Sequence, residues 1–469
     1  MKRILLYFLI ILILSKIAVL NSGCANIIPP TGGPRDSLPP ILLKVTPPDS
    51  SKGFDTKTIT FTFDEFIDQP QDIFRNLIVS PLPDTLPVIE AKLRTLTVKI
   101  KEALEPNTTY YYNFGDAIKD INEGNVLRNL SYIFTTGNTL DTMQLSGNVV
   151  LAETGGVDST LIVTLYKSGV DSAIMKERAR YMTRLDGRGR FRFLYLPQGT
   201  YYIYVMKETK TYSDKELFAF ADSAIDIKPG AAPVTLYAYT ETKEQAAAPT
   251  VNFSGNRGAG ARPDDRRLRF TSSLSGNVQD LLTDFMLNFD RPLRNIDTSK
   301  LQLSTDSTFS PAQGSWEIDS LKKKLSLKTT WKENTLYNLI LDKEFAEDSL
   351  GRKLLKTDTV SFTTKKQTDY GSLKMNFLNI DLSKNPVLQI SQGNQVIKTF
   401  PLTRSEIYQQ LFPPGDFELS ILYDNNKNGR WDPGQFFGLK RQPELVRPLN
   451  KKITIRANWD NEFEISGPL

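Results

Sequence analysis

The sequence predicts an all-β chain: tandem β-sandwiches, arranged as a duplicated pair behind a cleaved leader. Three observations carry that prediction. First, short runs alternate apolar and polar residues with a period of two, as in TITFTFDEF (58–66), TLIVTLYKS (160–168), TYYIYVMKE (200–208) and FELSILYD (417–424). Runs rich in Val, Ile, Thr, Tyr and Phe, bounded by Gly, Pro, Asn and Asp, are strands of sandwiches. Second, no long amphipathic helical pattern follows residue 20. Third, six matches, Tyr110 counted by itself, recur in the same order 224 to 228 residues apart. Phe63-Asp64 returns as Phe289-Asp290, the serine closing LIVS (Ser80) as Ser304, and Asn107-Thr108 with Tyr110 as Asn334-Thr335 with Tyr337. Asp120 returns as Asp348 and Phe134-Thr135-Thr136 as Phe362-Thr363-Thr364, which together indicate a duplication.

The leader comes first. Lys2 and Arg3 precede an unbroken apolar run over residues 4–14, then small and polar residues reach Cys24, the single cysteine of 469 residues. A basic start, a short apolar run and a small-residue site make a signal peptide over 1–23. The run is too short for a spanning helix, which needs about 20 residues. The stretch resembles a bacterial lipoprotein signal with a lipobox, matching at Ser22, Gly23 and Cys24 and departing at Asn21, where an aliphatic residue is usual. The resemblance implies a lipidated Cys24, a tether over 24–38 and a stable membrane anchor, since about two lipid signals suffice. With Ala25 rather than aspartate after the cysteine, it also implies the outer membrane, on its periplasmic or its outer side. The phrase CANIIPPTGGPRDSLPP is similar to the leader of Ig-like lipoproteins from Bacteroidetes.

Composition narrows the function. Lys and Arg number 58 against 53 acids, a formal charge of +5, and loss of the leader with Lys2, Arg3 and Lys16 leaves +2. Nothing there predicts a nucleic-acid partner. The chain has no histidine. With its one thiol lipidated, Ser–His and Cys–His catalysis and zinc sites are excluded. A carboxylate-pair glycoside hydrolase, with a pair such as Asp64 and Asp120, remains as the enzymatic alternative.

The modules follow in order. Residues 39–137 run through TPPD, a strand ending Phe-Asp, PNTTY, DINEGN and FTTG. This order resembles the bacterial Ig-like domain of the S-layer-associated (SbsA) type, and 268–365 resembles it more weakly. The resemblance implies a seven-stranded sandwich without catalytic residues. Residues 143–241 contain DGRGRFRFLYLPQGTYYIYV, similar to the carboxypeptidase regulatory-like or transthyretin-like sandwich, an accessory and non-catalytic module. Residues 370–469 carry its second copy, with Gly415 in LFPPGDFELSILYD matching Gly199. Gly199 is expected to supply a positive φ in a turn. Between the pairs, 243–267 is rich in Ala, Gly, Pro and Arg without apolar periodicity and reads as a linker.

Three places are candidates for chemistry. In YDNNKNGRWDPGQF (423–436), Asp424, Asn426, Asn428 and Gly429 follow D-x-N-x-N-G, with Asp432 at loop position nine. Alternating oxygens there suit a hard cation such as Ca²⁺, although position twelve is Gln435 rather than Glu, and no other cofactor is expected. An Asx-rich hairpin turn would leave the same pattern. Asp followed by Ser or Thr and a small or apolar residue recurs at Ser37, Thr85, Thr142, Ser159, Ser172, Ser223, Ser307, Ser320, Ser349 and Thr359. The phrase resembles the O-glycosylation sequon of exported Bacteroidetes proteins, though Asp-Ser and Asp-Thr also favour turns. Among the aromatic residues, most are expected in cores. The run Tyr110, Tyr111, Tyr112 is expected to present two unlike faces, and Trp431 to be exposed. The whole reads as a non-enzymatic, lipid-anchored envelope scaffold. Its loop ends and strand edges would meet an outer-membrane protein, another envelope protein or a glycan. The alternative is a free-standing surface adhesin or glycan-binding protein.

Overall fold

The computed structural model of the chain describes residues 35–69, 73–208, 212–241, 267–305, 308–393 and 395–467. Its regular secondary structure is nearly all strand, and it falls into two compact units, residues 1–142 and 143–469. The leader, Cys24 and nearly all of the 243–267 segment lie outside the described residues. Among the described residues no helix is long and apolar enough to cross a membrane.

In the first unit, TITFTF (Thr58–Phe63) alternates as written: Ile59, Phe61 and Phe63 are buried and the threonines lie nearer the surface. It pairs with Leu42–Thr46 and Thr95–Lys99, and Val88–Lys92 closes this four-stranded antiparallel sheet. A second sheet orders Ile78–Ser80, Thr109–Asn113 and Ser131–Thr135. Both sheets feed one core, in which Phe61 meets Phe114 and Tyr132 edge-on with ring centroids 5.4 and 5.6 Å apart. Edge-to-face pairs of this kind add about 1 kcal/mol beyond the area they bury. The two faces of the tyrosine run are unlike in partners though alike in burial: Tyr110 and Tyr112 belong to this core and Tyr111 does not. Tyr111 is buried like Tyr110 and Tyr112, and its hydroxyl accepts from Asn113 Nδ2 at 2.9 Å. This strand is central in its sheet and is covered on both faces.

The repeated phrase PNTTY has a geometric cause. Asn107 and Asn334 both take left-handed φ, 51° and 47°, a conformation asparagine tolerates better than most residues. The next residue then turns back. Thr108 N–H donates to Thr136 Oγ1 at 3.0 Å, and Thr335 N–H to Thr364 Oγ1 at 2.9 Å. The tyrosine hydroxyl of each copy accepts from the main chain just upstream, Tyr110 from Glu105 N and Tyr337 from Lys332 N, at 2.8 and 3.2 Å. Asn, Thr and Tyr are thus held at fixed spacing by one corner made twice.

The second unit holds three separate cores, within 145–238, 268–362 and 373–465. In the first of these segments, Met143–Leu151 pairs antiparallel with Arg190–Leu196 and parallel with Val234–Ala238. The facing sheet orders Tyr181–Arg184, Leu161–Tyr166, Gly199–Lys207 and Phe218–Phe220. The same antiparallel-and-parallel pairing recurs at Gly371–Leu378, between Glu406–Phe412 and Asp460–Ser466. The middle segment repeats the four-stranded sheet of the first unit with Phe270–Ser272, Phe285–Phe289, Lys324–Lys328 and Ser315–Ile318. One expectation fails here. Gly199 is an ordinary strand residue, and the left-handed residue is Tyr195, φ 56°. The pairing of Arg190–Leu196 with Met143–Leu151 slips at this point, so a bulge in the strand takes up the bend.

Residues 431–448 of the last segment reach back to residues 143–241. The Phe436 ring enters a nest of Tyr204, Phe218 and Phe220, with centroids 5.6, 5.2 and 5.1 Å away, and is 2% exposed. Its N–H donates to Glu241 Oε1 at 2.7 Å. Gln442 Nε2 donates to Phe220 O and Asp222 Oδ1, Lys440 pairs with Asp171 at 2.7 Å, and Val446 N–H donates to Ala152 O at 2.8 Å. Gly434 is required at its place, because a Cβ there would lie 2.6 Å from Cζ of Tyr239. This clasp joins modules that are far apart in sequence. Replacing Phe436 by Ala removes a fully buried ring, so urea unfolding of the chain is expected to show a loss of about 3–5 kcal/mol. The same substitution at half-buried Phe437 should cost less.

Candidate functional site

The loop after strand Gly415–Tyr423 is organised by Asp424, which is 1% exposed. Asp424 Oδ1 accepts from Lys427 N–H at 2.7 Å and Asn428 N–H at 3.3 Å, and Oδ2 from Gly429 N–H at 2.6 Å. Lys427 and Gly429 take positive φ, 62° and 75°, to bring those donors inward. Asn426 Oδ1 accepts from Asn428 N–H, and Asn428 Oδ1 from Arg430 N–H. The amides of Asn426 and Asn428 both donate to Asp432 Oδ2 at 2.6 Å. All four residues expected from the sequence are therefore gathered in one loop. Gln435, at position twelve, points elsewhere, its amide donating to Phe437 O at 3.2 Å.

The residue that the sequence pattern misses is Glu444. It is 5% exposed, and its two oxygens accept from Asn425 N–H and Asp432 N–H at 2.7 and 3.1 Å. It lies outside any twelve-residue window, so the loop motif could not reveal it. An acid between Pro443 and Leu445, at the mouth of the next strand, is the signal that was available. Burial pushes the Glu444 carboxyl up, and the nearby charges of Asp424 and Asp432 push it further, against the two N–H bonds. Among the described residues, none of these three carboxylates has a Lys or Arg ion-pair partner. Nor is any group of three His, Cys, Asp or Glu side chains in the described residues gathered as a ready metal cage. The main chain satisfies the loop, and a cation would enter by displacing the Asn426 and Asn428 amides from Asp432. Trp431 does not stand exposed as expected. Its Nε1–H donates to Glu444 O at 2.7 Å, and its ring packs on Val387, Leu422 and Val446. The polar loop rests on this apolar floor.

The Asp-Ser and Asp-Thr hydroxyls fall mainly on turns. Ser37, Thr85, Thr142, Ser159, Ser223, Ser320, Ser349 and Thr359 are exposed, Ser172 is half-buried, and Ser307 lies outside the described residues. Thr359 is the member that sits in a strand. Several of the aspartates close their own turns. Asp36, Asp158 and Asp348 accept from the N–H two residues on, at 3.0, 2.9 and 2.8 Å.

The carboxylates considered for catalysis are engaged by the main chain. Asp64 Oδ1 accepts from Ile41 N–H at 2.7 Å. Asp120 is buried and accepts from Glu123, Gly124 and Asn125 N–H at 2.7, 2.9 and 2.9 Å. Burial alone would raise the Asp120 carboxyl, but those N–H bonds outweigh it and hold it below the usual range.

Residues 36–136 match the family model of the bacterial Ig-like domain. The match covers that module and not the rest of the chain. Among curated proteins nothing matches. Similar solved structures include the major pilin subunit BcpA of Bacillus cereus, at 10% identity over 69% of this chain and 99% of that one, TM-score 0.16. The TIE protein of Bacillus anthracis aligns at 10% identity over 93% and 75%, TM-score 0.17. The N-terminal part of the bacterial S-layer protein SbsC aligns at 16% identity over 37% and 42%, TM-score 0.17. TM-scores at this level carry no argument about what this chain does.

Replacing Asp120 by Ala is expected to destabilise the first unit by about 2 kcal/mol, the cost of orphaned buried N–H groups. Because its folded-state pKa is depressed, the stability it contributes is present above the unfolded value of about 3.9 and is lost as the pH falls below it. Unfolding curves of wild type and Asp120→Ala should therefore converge in acid.

Proposed function

We propose that the chain is a non-catalytic, lipid-anchored scaffold of the bacterial cell envelope. Its sandwiches would carry interaction loops outward from an outer membrane. The observation that carries this reading is the bacterial Ig-like module at 36–136, whose candidate acid pair, Asp64 and Asp120, is engaged in holding its own loops. Cys24 supplies the anchor, behind a leader with a basic start and an apolar run. Radiolabelled palmitate should enter the wild-type chain and not a Cys24→Ala variant. Equal labelling of both would end the anchored reading.

The partner is an envelope protein or a glycan. Purification in mild detergent from the native membrane, with quantitative mass spectrometry, separates the two forms of the proposal. A stoichiometric β-barrel companion marks an accessory subunit, and an isolated chain marks a free-standing adhesin. The exposed hydroxyls at Asp-Ser and Asp-Thr turns are proposed O-glycan sites, expected as added mass on tryptic peptides that contain them.

The Asp424 loop is a proposed Ca²⁺ site, with Asp432 and Glu444 as further carboxylates. What supports it is a group of acids, two of them buried, with no cationic partner among the described residues, a condition a bound cation relieves. Binding to the folded state alone stabilises by about 2.7 kcal/mol at a hundredfold excess over Kd. Excess Ca²⁺ should therefore raise the wild-type Tm above its value in chelator, with a smaller rise in Glu444→Gln. Identical melts with Ca²⁺ and with chelator would exclude the site.

A further inference from the structure

The duplication placed the same loop end on both Ig-like segments and then reversed its chemistry. Four main-chain bonds fix the correspondence. Phe63 N–H donates to Arg94 O at 2.8 Å as Phe289 N–H does to Lys323 O at 2.8 Å, and Ile67 N–H to Leu93 O at 2.8 Å as Leu293 N–H to Lys322 O at 2.7 Å. Ile121 N–H donates to Phe66 O at 3.0 Å as Ser349 N–H does to Pro292 O at 2.9 Å, and Asp64 N–H to Ile41 O at 3.1 Å as Asp290 N–H to Arg269 O at 3.4 Å. The left-handed residues agree as well, Leu93 with Lys322 at 55° and 53°, and Gly124 with Gly351 at 76° in both. Glu65 therefore stands where Arg291 stands, Leu93 where Lys322 stands, Ile41 where Arg269 stands and Glu123 where Leu350 stands.

The two ends present opposite surfaces. On the first, Ile41, Phe66, Leu93 and Ile121 gather large apolar side chains, 58, 44, 66 and 57% exposed. Scattered single apolar residues are ordinary, but four on converging loops are not. Around them the charge is acidic: the Glu65 carboxyl is raised by its burial and then by Asp64, Asp120, Asp36 and Glu123. Of the cations there, Arg94 lies over the Phe66 ring at 5.3 Å and Lys119 pairs with Asp68 at 3.2 Å, while Lys92, beside Leu93, is exposed. On the second end, Arg291, Lys322, Lys323 and Lys353 are exposed and have no ion-pair partner among the described residues. Leu321 and Leu350 stand beside them, 70 and 57% exposed. Of the acids of this end, Asp348 is turned to Leu350 and Arg352 N–H and Asp319 to Lys323 and Lys324 N–H, while Asp290, beside Arg291, is exposed.

We propose that these ends are the two halves of a contact between copies of the chain: the apolar, acidic loop end of residues 39–137 in one molecule receives the basic, leucine-tipped loop end of residues 268–365 in a second. Acidic and basic rims select this pairing, and the leucines and the apolar patch supply the buried area. The contact joins unlike surfaces. It therefore generates an open row rather than a closed pair, and it requires neither the anchor nor the Ca²⁺ site.

The test is sedimentation velocity of the full chain in detergent micelles over a range of concentrations. The expected result for wild type is a mass that grows with concentration at low salt and returns to monomer at ~0.5 M salt, where screening acts within a few ångströms. A Glu65→Arg, Glu123→Arg variant and an Arg291→Glu, Lys323→Glu variant should each lose association tenfold or more. Mixed in equal amounts, they should associate, because one then carries two basic ends and the other two acidic ends. Thermal melts matching wild type establish that the variants fold, and the salt response of wild type stands as a readout that needs no variant. A wild type that stays monomeric throughout, association untouched by the reversals, or a monomer that instead binds vesicles of anionic phospholipid through Arg291 and Lys323 would each overturn the proposal.

Discussion

Every turn in this chain must satisfy main-chain N–H groups that no strand partner reaches, and the chain meets that constraint chiefly with aspartate. Asp120 takes three such donors, and Asp348, Asp319, Asp186 and Asp424 each take two or three. A carboxylate that accepts several N–H bonds fixes loop geometry through one side chain, leaving neighbouring positions to vary. This is why Asp120 and Asp348 persist through the duplication while Glu65 and Arg291, immediately after the shared Phe-Asp, differ in sign. A carboxylate holding two or three backbone donors is poorly placed to exchange a proton with a substrate.

The strands were legible because their chemistry is local. TITFTF alternates in sequence and in burial, and the left-handed Asn107 and Asn334 stand where a repeated Asn-Thr places them. The errors share a different cause. Trp431 is half-buried against Val387, Leu422 and Val446, Glu444 is held among Asn425, Asp432 and Trp431, and Phe436 is buried by residues more than two hundred positions away. No window along the sequence contains those partners. The turn assigned to Gly199 failed more narrowly. Glycine permits a left-handed conformation without demanding one, and a slip in strand pairing moved the bend to Tyr195.

The clasp and the candidate cation loop are parts of one segment. Glu444 holds Asn425 and Asp432 N–H on the loop side, while two residues on, Val446 N–H is bound to Ala152 O of the partner module. The stretch from Pro433 to Gln442 lies between, with Phe436 seated among Tyr204, Phe218 and Phe220. The loop that corresponds to it in residues 143–241, beginning at Glu208, lacks this pattern, so the clasp has only one direction.

Duplication followed by divergence explains how a chain without histidine or a second cysteine acquires distinct working surfaces. The cores cannot change much, because each buried ring contacts several others; Phe134, for example, stacks on Phe54 at 3.8 Å and on Tyr110 at 5.1 Å. The turn aspartates cannot change without leaving buried donors unpaired. What remains free are the tips beyond them, and there the two copies differ, Leu93 against Lys322 and Glu123 against Leu350. A surface that differs only where the scaffold permits it tells more about selection for contact than one that differs everywhere. The change of sign falls at particular positions, Glu65 against Arg291 and Leu93 against Lys322, while Asp64 and Asp290, and Arg94 and Lys323, keep theirs.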